Sequence, residues 1–177
     1  MIVSYRRLRP RAYHIHCGVS QTYVPSFRIR SATEHDAAQV GALAEEFADY
    51  LRGIGDHTDL SFNAEAYLRD GFGSNPAFAG IVAESQGTVL GYLLYHPGYD
   101  TDRGVRLLPV LDLYVREAAR RRGVGRALMT EAAAICKQQG GKELIWSVYE
   151  PNKLAAECYE QLGARYIGGL RFMTWPV

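Results

Sequence analysis

Arg120-Arg121-Arg122-Gly123-Val124-Gly125-Arg126-Ala127-Leu128 sets four arginines around two glycines where an apolar helical pattern begins. Glycine is among the poorest helix formers, and cations at a helix N-terminus oppose the macrodipole. The preceding run, Val105 to Val115, is β-prone, so the stretch reads as strand, short loop and helix start. The first amides of such a helix have no internal acceptor and are partly positive. Glycine removes the Cβ that would hold an anion away from them. The pattern therefore fits a turn that grips a diphosphate, with the arginines screening its charge. A solvated basic helix start is the plainer alternative, and it stays open on this stretch alone. Two familiar phosphate loops do not fit. The third glycine of G-x-G-x-x-G falls on Leu128, and no Gly-Lys-Ser/Thr follows.

Working outward, Leu128, Ala132 and Ile135 share one side of a helix from Gly125 to Gln138, ended by Gly140-Gly141. Leu144 to Tyr149 reads as a short buried strand. Pro151 opens a helix to about Leu162, stopped by Gly163, and Tyr166 to Trp175 reads as a last strand or hairpin turning at Gly168-Gly169. Upstream, Phe27 to Arg30 alternates as a strand, and Thr33 caps a helix with apolar spacing from Ala37 to Leu51. Asn63 to Asp70 is a short helix stopped by Gly71 and Gly73. Ala79 to Ala83 and Val89 to Tyr95 are strands joined at the hairpin signal Ser85-Gln86-Gly87. Pro109 inside the next β-prone run calls for a bulge or an edge. The order β-α-α-β-β-β-α-β-α-β predicts a single α/β (α+β) domain over residues 26–177, with a mixed, mostly antiparallel sheet flanked by helices. Residues 1–25 lack periodicity and read as an N-terminal extension, a flexible arm.

The 177 residues suffice for one sizeable core, and 47% hydrophobic with 22% charged residues is the balance of a soluble globular protein. A net charge of +1 supplies no field for recruiting nucleic acid or an anionic membrane, and no partner of either kind is expected. Cys17, Cys136 and Cys158 are an odd set without paired spacing, which suits a reducing, cytoplasmic setting. No apolar run reaches the ~20 residues of a membrane span, and no secretory leader is read at the start. His14, His16 and Cys17 carry metal-binding atoms, but no second cluster completes a site, so no metal is expected.

A second pattern lies further on. In Asn152-Lys153-Leu154-Ala155-Ala156-Glu157-Cys158-Tyr159-Glu160-Gln161-Leu162-Gly163-Ala164, a helix puts Ala155, Tyr159 and Leu162 on one side. Arg120 to Gly125 resembles the R/Q-x-x-G-x-G/A acetyl-CoA motif of the GNAT superfamily of N-acetyltransferases. Asn152, Ala155 and Tyr159, with Leu162-Gly163-Ala164, resemble its N-x-x-A-x-x-x-Y…L-G-F/A segment. Within that superfamily, Asp70-Gly71-Phe72-Gly73 with Pro76, and Leu111-Asp112-Leu113-Tyr114-Val115, look like segments of the spermidine/spermine and thialysine acetyltransferases. There the family's amine-facing glutamate falls on Leu111 here.

The resemblance implies the GNAT fold, acetyl-CoA as co-substrate and a small-molecule primary amine, such as a diamine, polyamine or amino acid, as acceptor in a ternary complex. The cofactor residues it implies are Leu113, Tyr114 and Val115 along the pantetheine, Arg120, Arg121, Arg122, Gly123, Val124, Gly125 and Arg126 at the diphosphate, and Asn152 and Ala155. Tyr159 is the implied general acid toward the leaving thiolate. Tyr50, Leu111, Asp112, Trp146 and Ser147 are the implied acceptor residues, and a homodimer is implied. By strand alternation Asp112 faces away from the side of Leu111, unless a bulge near Pro109 resets the phase. Glu45, Glu46 and Asp49 read as a solvated helix face from which one carboxylate can reach the amine, and His57 and His96 as loop histidines. The same residues also suit acetylation of a protein amine or an antibiotic, or a catalytically silent acyl-CoA sensor lacking the glutamate.

Overall fold

Continuous apolar runs at 81–83 and 92–95, buried on both faces, and apolar side chains that recur every three to four residues along 37–51 and 124–136 decide how this chain folds. The computed structural model describes residues 11–13 and 27–176. The described residues up to Ser147 form one compact unit, and those from Val148 onward form a second. In the first unit the strands are β1 (Arg11–Tyr13), β2 (Phe27–Ser31), β3 (Ala79–Ser85), β4 (Thr88–Tyr95), β5 (Gly98–Asp100), β6 (Val105–Val115) and β7 (Leu144–Ile145). The helices are α1 (Ala37–Gly53), α2 (Ala64–Phe72) and α3 (Val124–Gln138). The sheet runs β1-β2-β3-β4-β6-β5, antiparallel throughout, and β7 joins β6 in parallel. This is the mixed, mostly antiparallel sheet flanked by helices that the element order predicts.

Register assigns the two faces. Val82 pairs with Tyr92 and Tyr92 with Tyr114, so their side chains share one face. With Leu94 they pack against Ala37, Val40 and Leu43 of α1 and Tyr67 of α2. Ile81 and Leu93, also paired, point the other way, and α3 packs against β2, β3, β4 and β6 through Leu128, Ala132 and Ile135. The hairpin turn between β3 and β4 puts Gln86 (φ 50°) and Gly87 (φ 80°) in the left-handed region, as a type I′ connection requires.

An ion network anchors the start of α1. Asp36 is buried, and Arg30 of β2 grips it with two bonds of 2.7 Å while donating to Glu84 of β3 at 2.6 Å. Burial works against the charge on Asp36, but Arg30 and the Thr33 amide hold its carboxyl below the usual range. Tyr67 of α2 donates to the Thr33 carbonyl at 2.9 Å, so four elements meet here. Thr33 caps a short 3₁₀ turn, Glu34–Asp36, that runs into α1, instead of capping α1 itself.

Several expectations are corrected. Arg11–Tyr13, within the segment read as an extension, pairs with β2. His14, His16 and Cys17 lie outside the described residues. β5 was not anticipated; it continues β4 beyond the break at Pro97. β7 is only two residues long and half-buried, so Leu144 to Tyr149 is not a buried strand. Pro151 precedes the last helix instead of opening it. In the second unit α4 (Lys153–Gln161) is capped by the Asn152 side-chain Oδ1, which accepts from the Ala155 amide at 3.2 Å. Gly163 (φ 91°) ends α4, with the Ala164 amide bonding to the Tyr159 carbonyl. Tyr166 to Trp175 forms no strand; only the turn at Gly168-Gly169 is seen, and Leu170, Phe172, Met173 and Trp175 are largely exposed. With no facing strand for these residues within the unit, β propensity alone does not order them.

Gly71 does not stop α2 but lies within it, and Gly73 follows as the cap. A Cβ on Gly71 would stand 2.7 Å from the Phe78 ring, which is itself wedged against Phe62 and Tyr67. Helix propensity alone would make Gly71→Ala stabilising by about 1 kcal/mol. The clash predicts the opposite sign, a loss of about 1–3 kcal/mol in chemical denaturation. Adding Phe78→Leu to Gly71→Ala should recover part of that loss.

Candidate active site

The direction of the β6 backbone changes along its length. Early in the strand the even residues face β7: Leu108 donates to the Glu143 carbonyl at 3.0 Å, and the Arg106 carbonyl accepts from Lys142 at 2.9 Å. Late in the strand the even residues face β4, since Arg116 donates to the Leu90 carbonyl at 3.0 Å. Between these points Tyr95 pairs with Val110 but Leu94 pairs with Asp112, so Leu111 is an extra residue and half-exposed. This is a β-bulge, two residues beyond Pro109, and it resets the side-chain phase. Its first consequence is that Leu113 and Val115 turn their amides away from β4, toward the side where β7 has already ended its pairing at Ile145. A cofactor arm laid there would meet a strand edge able to bond it.

The second consequence concerns Asp112. Past the bulge its side chain shares a face with Leu94 and Tyr114, and the Tyr92 hydroxyl donates to it at 2.5 Å. Burial pushes its carboxyl up to about 6, against the opposing pull of the Tyr92 hydroxyl and the Leu113 amide. Burial, with the neighbouring carboxylate, likewise pushes Tyr92 well above its usual range. Asp112 thus titrates close to neutral pH beside the exposed Leu111.

β6 leads through a 3₁₀ turn, Glu117–Ala119, to the glycine-arginine stretch. Arg121 (φ 59°) and Gly123 (φ 80°) are both left-handed, and such a conformation at a non-glycine residue costs about 1 kcal/mol or more. Gly123 caps α3 without a side chain, and the first internal bond runs from the Ala127 amide to the Gly123 carbonyl at 2.9 Å. The amides of Val124, Gly125 and Arg126 are therefore left for an outside acceptor. A Cβ on Gly125 would touch only a Val115 methyl at an ordinary 3.8 Å. Neither φ nor packing demands glycine there, whereas an anion seated on the helix tip would. The residues thus fit the diphosphate of a nucleotide cofactor.

The four arginines divide. Arg121, Arg122 and Arg126 are exposed around the tip. Arg120 turns inward: its Nε donates to the Val115 carbonyl at 3.0 Å, and its guanidinium lies 4.9 Å from the Tyr50 ring and 5.4 Å from the Tyr114 ring. Glu46, four residues before Tyr50 on α1, accepts from Arg116 at 3.0 Å and lies 3.5 Å from the Tyr114 hydroxyl. Burial raises the Tyr114 hydroxyl, while the Arg120 charge pulls it down. Arg116 was not singled out, and Glu46 was read only within a solvated helix face; the signal for its pairing role was the four-residue spacing of Glu46 and Tyr50 on α1. Asp49 is tied to Arg52 at 2.5 Å, Glu45 is exposed, and the His96 ring nitrogen bonds the Pro97 carbonyl. Trp146 and Ser147 follow β7, where its pairing with β6 has ended. Among the described residues no cluster of metal-ligating side chains occurs, and no helix is long and apolar enough to cross a membrane.

In the second unit, Asn152 is buried and spends its side chain on capping α4. Ala155, Ala156, Tyr159 and Leu162 form the half-buried side of that helix, as their spacing predicts, and Cys158 lies on the exposed side.

The sequence profile of the Acetyltransferase (GNAT) family matches residues 41–164, a span that runs from α1 past the end of α4. The chain belongs to the GNAT acetyltransferase family. It is an acetyl-CoA-dependent N-acetyltransferase. This GNAT protein is 34% identical over 148 residues to the thialysine N-epsilon-acetyltransferase of Sus scrofa, covering 79% of this chain and 85% of the relative. A shorter match, 32% over 77 residues, links it to an L-ornithine N5-acetyltransferase of Arabidopsis thaliana and covers 44% of this chain and 34% of that one. Its fold superposes on an integron cassette protein of V. cholerae with a TM-score of 0.71 at 20% identity, covering 85% of this chain and 93% of that one. An aminoglycoside N-acetyltransferase solved in complex with CoA gives 0.70 at 16% identity, covering 88% and 99%.

If Gly125 is kept small for a ligand and not for the fold, Gly125→Ala should separate the two properties. Thermal melts should show stability unchanged or raised by about 0.5–1 kcal/mol, the gain expected for alanine in a helix. Calorimetry should show CoA affinity reduced by about tenfold or more, equivalent to at least about 1.4 kcal/mol.

Proposed function

We propose that this GNAT acetyltransferase moves the acetyl group of acetyl-CoA to the side-chain amine of a small amino acid, by direct attack in a ternary complex. The observation that carries the cofactor half is the α3 tip, with three amides free of internal acceptors and a glycine that neither φ nor packing requires. Support for the acceptor half comes from the relatives, which are named for thialysine and ornithine, and from the acidic lining at the bulge. There one half-buried acid, Asp112, stands beside the apolar Leu111. One carboxylate suits one ammonium better than a polycation.

An alkyl ammonium, with a pKa near 10.4, must lose a proton before its nitrogen can attack. In this reading Asp112 accepts that proton directly or through water, and its raised carboxyl makes it a better base than an exposed aspartate. The amine nitrogen then bonds to the thioester carbon, and the carbon–sulfur bond breaks. Tyr159 gives its hydroxyl proton to the departing sulfur, and the new amide nitrogen loses its second proton to solvent, from which the tyrosine is reprotonated. The Leu113 and Val115 amides hold the pantetheine and polarise the carbonyl. Gly123, Val124, Gly125 and Arg126 hold the diphosphate, with Arg121 and Arg122 around it.

The test is CoA release across ornithine, lysine, thialysine, a diamine and spermidine. Turnover should favour the amino acids, and CoA uptake without release on any amine would leave a silent sensor as the reading. Tyr159→Phe should retain cofactor affinity and lose about 10²-fold or more in kcat, the usual scale of a general acid. Asp112→Asn should lose turnover and the rise of kcat/KM through pH about 6, yet gain stability. The sign follows from linkage. A carboxyl raised above its unfolded value leaves the unfolded chain with fewer bound protons between pH about 4 and 6, so wild-type stability falls there as pH rises. At neutral pH the asparagine variant should be the more stable by up to roughly 3 kcal/mol, read from denaturation at pH 4 and 7.

A further inference from the structure

Of the four arginines in the turn, only Arg120 is committed inside the protein. Its Nε holds the Val115 carbonyl at 3.0 Å, and its guanidinium lies against the rings of Tyr50 on α1 and Tyr114 on β6. Tyr114 is itself packed on Phe47 of α1, ring centroids 5.2 Å apart. One helical turn earlier, Glu46 takes the Arg116 guanidinium. Glu46 and Tyr50 stand four apart on α1, and Tyr114 and Arg116 two apart along the β6 chain, so two side chains of each element meet in one layer. Arg120 closes this layer at the point where the chain turns toward α3.

Two features show what the layer fixes. The amide of Val115 belongs to the edge assigned to the pantetheine, and Arg120 binds the carbonyl of that same residue. The very next residue, Arg121, is held left-handed, which sets the approach to Gly123 and the α3 tip. A planar guanidinium can hold a carbonyl at its edge while offering its face to a ring; an ammonium cannot.

We propose that Arg120 is a positioning residue and not a phosphate ligand, and that Tyr50 acts on cofactor binding through it. The α1 helix, assigned by resemblance to the acceptor, thereby shapes the grip on CoA. This inference rests on the turn being the diphosphate site.

Calorimetric titration of the full chain with CoA tests it. Arg120→Lys keeps the charge but loses the planar stack, so affinity should fall about five- to tenfold, the range of a partly buried cation–π contact. Tyr50→Leu should fall by a similar factor, and Tyr50→Phe, which keeps the ring, should stay within about twofold of wild type. Combining Arg120→Lys with Tyr50→Leu should be no worse than the weaker single variant, whereas Arg122→Gln with Tyr50→Leu should multiply. Near-wild-type affinity in Arg120→Lys, or multiplying losses for Arg120→Lys with Tyr50→Leu, would overturn the proposal. A folded wild-type chain that takes up no CoA would instead remove the diphosphate site itself, and with it this inference.

Discussion

One added residue in one strand governs the chemistry of this fold. Leu111 interrupts the pairing of β6 with β4, and from that point every backbone amide of β6 faces the opposite way. Without it, Leu113 and Val115 would spend their amides on β4, and Asp112 would lie on the other side of the sheet. With it, one edge of β6 is left available for a ligand and an acid is driven into the protein beside a tyrosine. Beyond the bulge the two strands lie close, and a Cβ on Gly91 of β4 would stand 2.6 Å from the Tyr114 carbonyl oxygen.

The bulge and the helix tip form one continuous piece of chain. Asp112, Leu113 and Val115 are followed within a few residues by Arg120 and Gly123, so the acid, the strand edge and the amide cluster share a single backbone path. The path is braced from α1 by Glu46, Phe47 and Tyr50, and α1 is itself fixed at its start by the Arg30–Asp36 pair. Buried pairs of this kind specify geometry more than they add stability, because desolvation offsets most of their attraction. Here the pair sets where α1 begins, and the spacing along α1 then sets where its two bracing side chains fall.

Helical periodicity made α1, α3 and α4 readable from the sequence, since each turns one regular face away from solvent, and continuous apolar runs between turn signals made β3 and β4 readable. The glycine-arginine turn was readable because two glycines at a helix start contradict propensity and ask for a reason. β5 was missed because three residues carry no period. Tyr166 to Trp175 was misread because apolar content alone does not supply a pairing partner. Pro109 did announce an irregularity, but the extra residue falls at Leu111, and only the register against β4 locates it. The inward turn of Arg120 was beyond reach: Arg120, Arg121 and Arg122 are identical as letters, and what distinguishes the first is Tyr50, distant in sequence and near in space.

The α3 helix is bounded at both ends by left-handed glycines, Gly123 before it and Gly140 after it, with the Gly141 amide closing the far end on the Cys136 carbonyl. It therefore behaves as a rod of set length, about 1.5 Å for each of its 15 residues. Adding or deleting a single residue would rotate everything beyond that point by roughly 100° and carry either the core side chains or the amides of the tip out of alignment. The α3 helix can therefore vary by substitution far more readily than by length.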